Sequence, residues 1–227
     1  MTKYIFISLI ILTAVYLEFG LLNIWSADVD YALGQNLQKA NQPVQAFQTM
    51  QQAIQKLPGE PLFHDEQSQI ASLLSVAAKN QKEATLSSQL TQIAIQESNL
   101  AVSSSPNNVT FWKSRTKIFY TLAQDDASYL TFALDAINRA VDLAPTDAKV
   151  NYFQGVLTSA FNQTDNAIKI LEKTIALKPN YRDAYFQLAK LYLQKNDKLK
   201  AKETADFILR HIGPDDETQK WLEENKL

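Results

Sequence analysis

The chain has 227 residues, 46% of them apolar, with a formal charge of −2 and no cysteine. A length near the upper limit for one compact core permits extensive burial. The slight negative charge argues against a nucleic-acid partner, and the missing cysteine excludes disulfides, thiolate zinc sites and cysteine nucleophiles.

The first element is apolar. YIFISLIILTAVYL (4–17) carries no charge, Glu18 interrupts, and FGLLNIW (19–25) resumes. As one helix, 4–25 is about 30 Å long, enough to cross a hydrocarbon layer. Glu18 lies past the middle, within reach of headgroups, and Tyr4 and Trp25 bracket the stretch as interfacial aromatics do. Residues 1–25 are therefore expected to form one transmembrane anchor. A cleaved signal peptide and a buried soluble helix are the competing readings; cleavage after Ala27 places Trp25 at −3, a poor fit. Lys3 precedes the stretch, Asp28 and Asp30 follow it, and the next base is Lys39. The positive-inside rule then puts the N-terminus in the cytoplasm and residues 26–227 outside it.

Beyond the anchor, helix formers dominate, glycine is scarce at 5 residues, and small residues and prolines recur in phase. Counting back from Pro179 by 12 and 24 gives Ala167 and Gly155. The same offsets from Pro58 give Ala46 and Gly34, with Ala53 five back. Pro106 follows Ala94 and Ala101, and Pro145 follows Ala133 and Ala140, at those 12- and 5-residue offsets. A 34-residue step from Ala167 reaches Ala201, and one from Pro179 reaches Gly213 beside Pro214. Antiparallel helix pairs account for this: small residues (Gly34 with Ala46, Gly155 with Ala167, Ala189 with Ala201) allow close backbones, and proline ends each second helix. Tyr185, Leu188, Ala189 and Tyr192 form one helical face.

These residues resemble the tetratricopeptide repeat (TPR), a 34-residue helix–turn–helix. The resemblance covers 26–214 and implies an all-α TPR solenoid of about five units (26–58, 59–106, 107–145, 146–179, 180–214). A transmembrane helix precedes the units and a capping helix (215–227) covers the open end with Trp221 and Leu222. Pro58 and Pro106 are 48 apart, so both helices of the second unit run long. Pro106 and Pro145 are 39 apart, and the surplus is expected near LAQDDASYL (122–130). More narrowly, the stretches containing LPGEPLFHDE (57–66) and FWKSR (111–115), with the aspartates after the apolar span, are similar to the C-terminal repeat region of bacterial O-antigen ligase/polymerase-like membrane proteins. That resemblance implies a repeat arm of a glycan-assembly protein whose catalytic membrane body lies outside this chain.

The search for chemistry ends without a catalytic constellation. His64 has no second ligand at helical spacing, and the acids of FHDEQ read as a polar first helical turn favoured by the dipole. His211 reads as a cation near a helix C-terminus. Asp125–Asp126 and Asp215–Asp216 read as helix N-caps rather than paired catalytic carboxylates. No enzyme activity, cofactor, metal or small-molecule substrate is expected. What remains is the concave face that TPR first helices line, a partner groove expected to carry Lys113, Lys117, Tyr120, Lys149, Tyr152, Phe186 and Lys190. Lys113 and Lys117, four apart, share a helical face, similar to the basic pairs with which some TPR domains hold a peptide carboxylate. The position where such clamps place an asparagine in the next unit holds Val156. A solvated lysine face is the alternative. The expected partner is a membrane-associated protein or peptide.

Overall fold

A computed structural model describes the chain from residue 2 onward; Met1 and the side chains of Thr2, Lys3 and Ile5 lie outside the described residues. The charge expected ahead of the anchor therefore falls on an undescribed side chain. The described residues form eleven α-helices and no strand, in two compact units. The first contains residues up to Asn107 and Lys117–Ala127, and the second Asn108–Thr116 and Ser128–Leu227.

In the first unit, α1 (Thr2–Lys39) pairs with α2 (Pro43–Lys56), and α3 (Pro61–Asn80) pairs with α4 (Ala84–Ser104). The expected anchor and the first repeat helix are thus one continuous helix rather than two elements. No proline lies between residues 2 and 39, so nothing breaks the backbone ladder. Ala27, Ala46, Met50, Ala53, Phe63 and Ile70 form the core, with Tyr31 stacked on Phe63 at 5.0 Å between centroids. The close approach of α1 and α2 occurs at Gly34: a Cβ there would lie 3.0 Å from Met50 Cε and 3.5 Å from the Ala46 carbonyl oxygen. The long α3–α4 pair carries a seam of small hydroxyls. Ser75 donates to the Ser87 carbonyl at 3.0 Å and lies 2.6 Å from the Thr91 hydroxyl, so these buried polar atoms are satisfied.

α5 (Val109–Leu122) contributes its start to the second unit and its end to the first. The surplus residues of the third repeat form the turn 123–128, where they were expected. Asp125 and Asp126 lie within this turn and do not cap: Ser128 occupies the N-cap position of α6 (Tyr129–Leu143).

The second unit continues with α7 (Ala148–Ala160), α8 (Thr164–Leu177), α9 (Arg182–Gln194), α10 (Lys198–Phe207) and α11 (Asp216–Glu224). A π-helical turn, Ile208–Ile212, extends α10. His211 sits in this turn with its ring 4.6 Å from that of Phe207. Asp147 caps α7 by accepting from the Lys149 and Val150 amides at 2.9 and 3.2 Å. Ala167, Leu171, Ala184 and Leu188 build the centre of this unit, and Ala189, Ala205 and Leu222 extend the core to α11. Gly155 lies against Leu171, one turn beyond Ala167: a Cβ there would meet Leu171 Cγ and Cδ2 at 2.9 Å.

The turns inside the helix pairs share a device that the small-residue pattern did not reveal. Asn41, Lys82, Asn162 and Asn196 all adopt left-handed backbone, with φ of 58°, 66°, 59° and 63°. Asparagine tolerates that region best among non-glycine residues, and Asn162 and Asn196 are 34 apart, one repeat length.

Candidate functional site

Of the small repeat positions, Gly34 and Gly155 are buried, and Ala46, Ala53, Ala94, Ala101, Ala133, Ala140, Ala167, Ala189 and Ala201 are completely so. Pro58, Pro106, Pro145 and Pro179 are exposed in the turns between successive pairs. Two of those turns are tied down from within. The Pro58 carbonyl accepts from His64 Nε2 at 2.9 Å, and the Pro145 carbonyl from Asn151 Nδ2 at 3.1 Å. Both side chains lie six residues after their proline, at the same place in the repeat.

His64 is therefore no solvated residue of a polar first turn. It is buried, with Nδ1 paired to Glu97 of α4 and Nε2 on the Pro58 carbonyl. The hydrogen bond to Glu97 raises its pKa, outweighing the opposing effect of burial. The sequence missed this because Glu97 is 33 residues away.

The expected groove residues divide between the units. In the first, Lys117 and Tyr120 are exposed on α5. In the second, Lys113 is engaged: its Nζ lies 3.5 Å from Asp147 Oδ2. Lys149 is exposed on α7, while Tyr152 is half-buried and packs against Phe153 and Tyr181 at 5.5 and 5.1 Å between centroids. Burial, with Tyr152, Asp183 and Asp147 nearby, pushes the Tyr181 hydroxyl up to about 12.

Phe186 does not line an open face. It is 5% exposed, with Trp221 of α11 edge-on at 5.7 Å, Arg182 Cζ at 4.5 Å and Lys190 Nζ at 4.0 Å from its ring centre. Cations over an aromatic face are favourable, which fixes Lys190 to the protein. Arg182 also reaches Asp215 at 2.6 Å and Glu217 at 2.7 Å, fastening the start of α11. Burial pushes the Asp215 carboxyl up, but Thr218 and Arg182 outweigh it and hold it below the usual range. Asp215 stands at the N-cap position of α11, as expected for one of its pair, though its carboxylate serves Arg182 and the Thr218 hydroxyl. The cation–aromatic stack was hidden in the sequence because Trp221 reads as a capping residue and Phe186 as a groove position. Arg182 and Asp215, 33 apart, were its visible signal.

Among the described residues, no three His, Asp or Glu side chains converge as a metal site requires. The exposed set that remains, Lys117 and Tyr120 on α5 and Lys149 on α7, offers ammonium donors and a phenol, groups suited to holding a carboxylate-bearing segment rather than to bond-making.

Residues 160–217 match the tetratricopeptide-repeat family model. The chain is similar to the thermophilic TPR protein TTC0263 of Thermus thermophilus, at 16% identity over 88% of this chain and 99% of that one, with a TM-score of 0.60. MamA of Desulfovibrio magneticus RS-1 is 17% identical over 81% and 93%, with a TM-score of 0.62. The fold is a TPR solenoid. YrrB, described as a TPR protein with an unusual peptide-binding site, is 17% identical over 87% of this chain and 91% of that one, with a TM-score of 0.62. No curated protein matches the sequence. The narrower resemblance to O-antigen ligase-like repeat regions gains no support from these relatives.

Proposed function

We propose that this chain is a single-pass, membrane-anchored TPR scaffold. On this reading it holds a protein or peptide partner at the outer face of a membrane and performs no chemistry of its own. The observation that carries the reading is the surface of α1. Tyr4, Leu12, Phe19 and Trp25 are 74%, 67%, 72% and 65% exposed, and large apolar side chains cover every side of this stretch. In water that surface would drive association; a bilayer covers it. The TPR fold of the rest supports the binding role, because stacked first helices present side chains to a peptide without needing a catalytic centre. Anchoring confines the scaffold to two dimensions and so raises its effective concentration near other membrane proteins.

The test has two arms. Full-length chain should stay with membranes through an alkaline carbonate wash, and deletion of residues 1–25 should release it; an unanchored full chain overturns the reading. A reporter fused after Leu227 should be active only as a type that works outside the cytoplasm. Crosslinking in native membranes followed by mass spectrometry identifies the partner, with contacts expected at Lys117 and Lys149.

A further inference from the structure

The anchor and the repeat domain are joined without a linker, and this fixes what faces the lipid. Because α1 continues unbroken to Lys39, α2 runs back toward the membrane end of α1. Its last residue is pinned there. The Asn23 side-chain amide donates to the Lys56 carbonyl at 2.6 Å, while Lys56 Nζ reaches Ser26 Oγ at 2.7 Å and Asp30 Oδ2 at 2.5 Å. Asn23 lies two residues, about 3 Å, inside Trp25, where the apolar stretch ends. The turn after Lys56, Leu57-Pro58-Gly59-Glu60 leading into Pro61 and Leu62, therefore stands level with the end of that stretch.

The composition of this turn differs from its counterparts. At the position after the proline stand Gly59, Asn107, Thr146 and Asn180; four after it stand Leu62, Thr110, Lys149 and Asp183. Only the turn beside the anchor is apolar at the second position, and Leu62 is 40% exposed. Its polar groups are also satisfied from within. Leu57 N donates to the Ala53 carbonyl, Glu60 N to that of Leu57 and Phe63 N to that of Glu60; His64 takes the Pro58 carbonyl, and the Glu60 carboxylate accepts from Leu62 N at 3.2 Å. A turn facing water needs no such closure; one entering a poorly hydrated layer does.

We propose that the Pro58–Leu62 turn is a second membrane contact, seated in the interfacial layer of the bilayer that α1 spans. This inference rests on the anchor reading. Pro58 and Leu62 enter the boundary between headgroups and acyl chains, continuous with the apolar surface of α1, and together with Trp25 they fix the tilt of the first helix pair against the lipid. The buried His64 serves this contact by closing the Pro58 carbonyl.

The natural absence of cysteine makes the test direct. Full-length chain with a single substitution (Tyr16→Cys, Pro58→Cys, Leu62→Cys or Val44→Cys) is labelled with an environment-sensitive fluorophore and reconstituted in phosphatidylcholine nanodiscs. Val44 lies at the opposite end of α2, 12 residues or about 18 Å from Lys56. Labels at Tyr16, Pro58 and Leu62 should emit at shorter wavelength than that at Val44 and be quenched several-fold more by lipid-borne nitroxide. If Tyr16 meets lipid while Pro58 and Leu62 behave like Val44, the turn is solvated and the proposal fails with the anchor intact. If Tyr16 also behaves like Val44, the anchor reading itself fails and the proposal with it.

Discussion

Gly155→Ala separates packing from helix propensity. In an exposed helix interior this exchange stabilises by about 0.8–1.0 kcal/mol, because alanine loses less backbone entropy. At Gly155 the added methyl carbon would lie 2.9 Å from both Leu171 Cγ and Cδ2 and 3.4 Å from Ile170 Cγ2. Cγ is the branch point of the leucine side chain and not its free end, so α7 and α8 must separate or Leu171 must leave its rotamer. Overpacking of this kind costs about 1–3 kcal/mol, leaving a net loss of about 1 kcal/mol. The measurement is urea unfolding of the full chain in detergent micelles, followed by far-ultraviolet circular dichroism. Gly20→Ala is the paired control: nothing lies within 4 Å of its added carbon, so only the propensity gain applies. Leu171→Ala alone should destabilise by about 2–5 kcal/mol through its cavity, and in that background Gly155→Ala should become neutral or stabilising. A Gly155→Ala protein stabilised as much as Gly20→Ala would refute the close approach of α7 and α8 at this point.

The pH dependence of the first unit should report on His64. Its pKa is raised in the folded state by Glu97, so its stabilisation is complete below the unfolded value of 6.5 and is lost as pH rises through the folded pKa. The urea midpoint should therefore fall on going from pH 6 to pH 9, and Glu97→Gln should flatten that slope; an unchanged slope sinks the pairing. Lys82→Asn should stabilise by about 0.5 kcal/mol, since lysine sits there at a φ of 66° that asparagine tolerates better; a lower midpoint would count against it. Trp221→Ala should cost about 2 kcal/mol by uncovering Phe186 and Leu222, with limited proteolysis then cutting first near α11. Lys117→Glu should weaken partner capture and leave the melting temperature within about 1 °C, because the side chain is exposed; a folded variant with full capture would remove Lys117 from the groove.

The fold was legible because its information is periodic. Gly34 and Ala46, or Ala167 and Pro179, keep fixed distances along the chain, and a helix pair turns those distances directly into contacts. The long second pair and the surplus turn at 123–128 followed from the spacing of Pro58, Pro106 and Pro145 alone. What the sequence did not disclose depends on which side chain meets which across helices. Lys113 looks like a free groove cation until Asp147, 34 residues on, occupies it. Phe186 and Lys190 look like a recognition face until Trp221 lies against the ring. In both cases the partner belongs to the following helix pair, so a position read from its own repeat alone appears emptier than it is.

The same dependence on neighbours bears on function. A repeat position keeps its packing role in every unit, but its exposure changes with what the next unit supplies. The last pair is closed by α11, and the first pair has its Lys56 end fastened to the end of the apolar stretch of α1 through Asn23, Ser26 and Asp30. Binding capacity is therefore expected where neither closure applies, at Lys117 and Tyr120 and at Lys149. The terminal aromatic and the apolar first turn serve to end the stack and to seat it. A peptide-capture defect from Lys117→Glu combined with a merely structural defect from Phe186→Ala is the pattern this division requires. The reverse pattern would place the binding face at α9 and show that α11 moves aside when the partner arrives.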